Sequence, residues 1–106
     1  MRYIRDNADH GAGMYRLSGC TARKAIDFIA AGGFVPEIAS DNVSAAIRAL
    51  TGIGLMATPG CCRPAALKPY DQALVVRVEP GADLSGNPDP RTVAGLCDFF
   101  ILRRVS

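Results

Sequence analysis

The sequence predicts an α+β fold: two main helices packed on a mixed sheet of about five strands, in one small dimer-forming domain spanning residues 1–106. Three observations carry that expectation. Two segments place apolar residues at i, i+3, i+4 and i+7, the period of one helical face. Several short β-compatible runs lie between turn-forming clusters. Nearly half of the 106 residues are apolar, enough for a single core without staples.

The first strand is expected at Tyr3-Ile4-Arg5. Residues 6–13 are rich in turn formers and read as a loop. Met14 to Leu17 alternates as a second strand, and Ser18-Gly19-Cys20 reads as a turn. Thr21 caps a helix near Thr21–Ala31. Its buried face is Ala22, Ala25, Ile26 and Ile29, and Gly32-Gly33 ends it. Phe34-Val35 and Ile38 make a short strand. The polar run Ser40-Asp41-Asn42 then opens a helix over Asp41–Leu50, with Val43, Ala46, Ile47 and Leu50 inward and Gly52 behind it. Prolines and glycines break up residues 54–69, leaving room for an edge strand between Cys62 and Leu67. Ala73 to Glu79 is the clearest strand. Its apolar face is Leu74, Val76 and Val78, and its other face turns polar at Arg77 and Glu79. Residues 79–90 read as a long loop, and Phe99–Leu102 as the closing strand. The expected core is Ile26, Ile29, Ile47, Leu50, Leu74, Val76 and Ile101.

Composition excludes several classes. The net charge is +2, which gives no basic stripe for long DNA or RNA. No run of about eighteen apolar residues is present, so no membrane span is expected. The N-terminus lacks the apolar stretch of a signal peptide, which points to the cytosol. There, Cys20, Cys61, Cys62 and Cys97 are expected as free thiols. Their spacing does not match a zinc site, so neither metal nor cofactor is expected.

A helix start carries unpaired N–H groups and a partial positive charge, which suit a phosphate. Ser40, Asn42 and Ser44 are the donors placed there. The plainer reading is that Ser40 caps the helix and Ser44 faces solvent. Arg63 is either a planar fork for phosphate or an ordinary surface arginine. Arg77 and Glu79 either form a surface ion pair or line a pocket. Asn7 and His10 lie in a loop that either closes on a ligand or is a plain flexible turn.

Taken together, a helix, GGFVPEIAS, a helix ending LTGI, then YDQALVVRVEPGADL and FFILRRV resemble a small family first seen in archaeal viruses. Members of that family include anti-CRISPR ring nucleases that degrade cyclic tetra-adenylate, the messenger of type III CRISPR defence. The resemblance spans nearly the whole chain. Asn7 matches an early family asparagine, and Phe34 to Ala39 match the strand and turn before the second helix. Arg63 matches a family arginine, one residue short in its spacing to Ala73, and Tyr70 to Val75 match the approach to the clear strand.

The family's catalytic histidine is replaced here by Ser40. A ring nuclease of this kind needs a proton donor for the leaving 5′-oxygen, and an imidazole supplies one near neutral pH where a serine cannot. The only histidine is His10. The resemblance therefore implies a protein that sequesters a cyclic or nucleotide-derived messenger with little or no cleavage. The alternative is a metal-independent ring nuclease using His10. A rotationally symmetric ligand suits a two-fold site, so a homodimer, or a larger oligomer built from dimers, is the expected assembly.

Overall fold

A computed structural model describes residues 1–8, 13–57, 67–84, 86 and 88–105. Eight elements follow in order: β1 (Arg2–Arg5), β2 (Tyr15–Cys20), α1 (Ala22–Ala30), β3 (Phe34–Glu37), α2 (Asp41–Thr51), β4 (Gln72–Val78), α3 (Pro90–Gly95) and β5 (Cys97–Arg104). The strands form one five-stranded sheet in the order β2-β5-β4-β1-β3. β1 runs parallel to both neighbours, β3 and β4. β5 runs antiparallel to β4 and β2. This is the mixed α+β sheet that the sequence predicts. Among the described residues no helix is long and apolar enough to cross a membrane.

Local chemistry fixes the helices. Thr21 caps α1 by accepting from the Lys24 amide, and Ser40 caps α2 by accepting from the Val43 amide. Gly52 ends α2 at φ 76°, a left-handed conformation that glycine adopts without a Cβ clash. The third helix, α3, was not expected. It starts as helices commonly do, with Asp89 accepting from the Thr92 amide and Pro90 in the first turn.

Strand alternation puts Ile4, Leu74, Val76 and Phe99 on one face of the sheet. There they bury against Ala25 and Ile29 of α1 and Val43 and Ile47 of α2. Leu50 and Ile101 pack at the margin of this core, half-buried. Ile26 is also half-buried, because α1 presses only one edge of its apolar stripe onto the sheet. A smaller cluster of Ala46, Leu84 and Val93 joins α3 to α2.

The extent of the second strand is corrected. Ser18-Gly19-Cys20 is not a turn: β2 continues through Cys20, paired in register with β5. The second face of β4 turns polar at its end, where Arg77 and Glu79 are exposed. Ala73 and Val75 are fully buried there with Leu67 and Leu102, because the chain at Leu67 covers that face. The expected edge strand at 62–67 falls, except for Leu67, outside the described residues, as do Cys61 and Cys62. Cys20 and Cys97 are free thiols.

Candidate functional site

The strand order is not the chain order, and this creates a cleft. β1 sits between β3 and β4, so its carboxyl end points to the same rim as theirs. In open sheets that rim is where ligands bind. A cleft of about 720 Å³ lies here, within the range of small-molecule sites.

Each wall has a local origin. The first residue after β1, Asp6, reaches across to the start of α2. Its Oδ2 accepts from the Ala39 amide at 2.8 Å and from the Ser40 amide at 2.9 Å. A carboxylate here complements the positive helix end. It also means that two amides a phosphate would want are already occupied. The end of β4 contributes Arg77, the residue after it Glu79, and the start of β5 Cys97 and Asp98. Glu79 donates its backbone N–H to the Leu96 carbonyl at 2.8 Å, which pins that rim to the α3–β5 junction.

Asn42 works differently from the expectation. Its Nδ2 donates to the Ala82 carbonyl at 2.7 Å, and its Oδ1 accepts from the Leu84 amide at 3.4 Å. The side chain faces the cleft wall but is tied to the segment after β4. It positions the wall that contains Pro80 and Gly81.

The other candidates separate. Ser40 lines the cleft while its Oγ accepts from the Val43 amide at 3.4 Å, so one residue both caps α2 and borders the cleft. Asn7 is half-buried and donates through Nδ2 to Asp6 Oδ1 at 3.2 Å, and it is not among the described residues that line the cleft. Ser44 faces elsewhere: it is buried and donates to the Leu55 carbonyl. One helical turn beyond Ser40, it lines a different hollow with Arg48 and Met56. His10 and Arg63 lie outside the described residues.

Arg77 and Glu79 do line the cleft. Arg77 lies 5.6 Å over the ring of Phe100. Asp6, Asp98 and Cys97 were missed. Asp6 carries only the generic signal of a turn residue, and its partner lies more than thirty positions away.

Among the charged residues that line the cleft are three acids, Asp6, Glu79 and Asp98, and one arginine, Arg77, whose guanidinium lies over the Phe100 ring. Such a surface accepts hydrogen bonds from hydroxyls and amines at most points and offers an anion one strong partner. Burial pushes the Cys97 thiol up to about 11, with the Asp98 charge adding to it. Cys97 therefore stays neutral and is a poor nucleophile at ordinary pH. No histidine is present among the described residues of the cleft. No cluster of three metal-ligating side chains occurs among the described residues.

No protein-family model and no curated protein matches the chain. Among solved structures, the chain is similar to B116 of Sulfolobus turreted icosahedral virus, with a TM-score of 0.73. The match covers 97% of this chain and 98% of that one at 10% sequence identity. This chain therefore shares, over nearly its whole length, the fold of a viral protein.

Proposed function

We propose that this chain binds a small cyclic or nucleotide-derived messenger in the cleft and holds it with little or no cleavage. It would act as a viral or mobile-element factor that removes a defence signal. The observation that carries the reading is the cleft at the carboxyl ends of β1 and β4, set against the start of α2. Its carboxylates suit ribose hydroxyls and exocyclic amines, and Arg77 suits a phosphate. The absence of an imidazole among its described lining residues favours binding over turnover, since positioned proton transfer contributes about 10²–10⁴-fold.

One Arg77 in each cleft is a thin complement for a ligand with several phosphates. A two-fold pair of chains would supply two, one for each half of a symmetric ligand. A homodimer with the two α2 starts facing a shared space is thus part of the reading.

The test is a thermal-shift panel of cyclic di-, tri- and tetranucleotides and ADP-ribose derivatives, because a ligand that binds only the folded state raises the melting temperature. Ligand recovered after heat denaturation is then analysed by chromatography. Intact ligand supports sequestration. Linear fragments whose formation is abolished by His10→Ala would establish the ring nuclease instead. Light scattering that reports a monomer with and without ligand would remove the shared-cleft assembly.

A further inference from the structure

The sheet has two edges, and they differ. β3 carries Pro36 and Glu37. A proline has no N–H to give a new neighbour, a usual way of protecting an edge. β2 has no proline, and its one charged residue is Arg16. Arg16, Leu17, Ser18 and Gly19 are all exposed, and β2 pairs only with β5 among the described residues.

The register adds a second observation. Arg16 lies directly opposite Arg103. Arg103 also lies opposite Gln72, and Gln72 opposite Arg2, so one row of the sheet reads Arg2-Gln72-Arg103-Arg16. Arg2 is engaged by the Phe28 and Gly32 carbonyls and lies over the Phe28 ring. Arg16 and Arg103 are exposed, and neither enters an ion pair among the described residues. Like charges directly opposite on a sheet are destabilising, and among the described residues no ion pair offsets them. Alternation places Met14 and Val105 on the same face, 67% and 51% exposed, and Leu17 on the other, 47% exposed.

We infer that the open β2 edge accepts an extended acidic strand of a partner protein, which adds to the sheet and sets its carboxylates against Arg16 and Arg103. Strand addition supplies main-chain hydrogen bonds, and alternate side chains supply selectivity. On one face the added strand meets two guanidiniums and on the other Leu17, so it should alternate acidic and apolar residues. A second copy of this chain is a poorer occupant. Pairing β2 with itself would bring two more arginines to a patch where neither arginine has an acidic partner among the described residues.

The experiment uses the full chain and a labelled peptide, acetyl-Glu-Val-Glu-Val-Glu-Val-amide, with its Lys-for-Glu counterpart as control. Backbone amide shifts from NMR locate binding, and fluorescence anisotropy measures it. The expected result is binding of the Glu peptide with shifts centred on residues 15–20. Arg16→Gln with Arg103→Gln should weaken it about tenfold or more, consistent with loss of close charge pairs, while the thermal melt is held or raised. Four results would overturn the proposal. They are equal binding of the Lys peptide, shifts centred away from β2, an Arg16-dependent preference for single-stranded oligonucleotide, and concentration-dependent β2 shifts without peptide, which would identify a second copy.

Discussion

Replacing Asp6 tests the link between the centre of the sheet and the start of α2. Asp6→Ala removes the acceptor of two backbone N–H groups, at Ala39 and Ser40. Hydrogen bonds to a charged group contribute about 1.5–3 kcal/mol each. Both sites are exposed or half-buried, so in the variant water satisfies much of what the carboxylate leaves. A negative group near a helix start adds about 0.3–1 kcal/mol. The expected net loss is about 2–3 kcal/mol. In a domain of this size that lowers the melting temperature by about 10–20 °C. Asp6→Asn keeps one acceptor oxygen and should lose about half as much. Urea unfolding followed by circular dichroism measures both, with the slope m expected to stay constant. The Ala variant should also lose ligand response in the thermal-shift panel, because the α2 start is then free to move relative to β1. A loss below about 0.5 kcal/mol, the range of ordinary surface changes, would refute the idea that Asp6 anchors α2.

Tyr70 is 93% exposed at φ 73°, in a turn closed by the Asp71 amide and the Lys68 carbonyl. Tyr70→Gly relieves the left-handed conformation and should stabilise the fold by up to about 1 kcal/mol in denaturant titration. Asp71 accepts from the Lys68 amide at 2.8 Å and pairs with the Met1 amino group at 2.9 Å, and the first of these is the main cause of its lowered pKa. A depressed carboxyl contributes stability above its ordinary pKa and loses it as pH falls through the folded value. Stability should therefore drop below about pH 4, and Asp71→Asn should flatten that drop in unfolding midpoints measured against pH. Cys97, with its thiol at about 11, should react with iodoacetamide at pH 8 far more slowly than the unfolded chain; equal rates by mass spectrometry would contradict its burial. Ser40→His removes the α2 cap at a cost of about 1 kcal/mol but puts an imidazole at the cleft. It should bring measurable cleavage of cyclic tetra-adenylate, and unchanged ligand on chromatography would argue that the site lacks the rest of that chemistry.

The sequence by itself determined the elements whose causes lie within one turn of chain. Thr21 and Ser40 fix helix starts through amides three residues on, Gly52 fixes an end, and the spacing of Val43, Ile47 and Leu50 fixes an inward face. The start of α3 was legible in the same way from Asp89 and Pro90, although proline- and glycine-rich surroundings made it read as loop. Ser40 was found as a cleft residue because its cap is local. Tertiary structure alone decided the rest. Asp6 meets Ala39 and Ser40 only because β1 is inserted between β3 and β4. Asn42 became a strut for the Ala82–Leu84 segment, and Ser44 was turned to Leu55. Val75 was buried by the chain at Leu67, although its strand neighbours on that face are polar at one end. Periodicity reports which way a side chain points along its own element. Which element it then meets depends on strand order, and strand order is set by the burial of all faces at once.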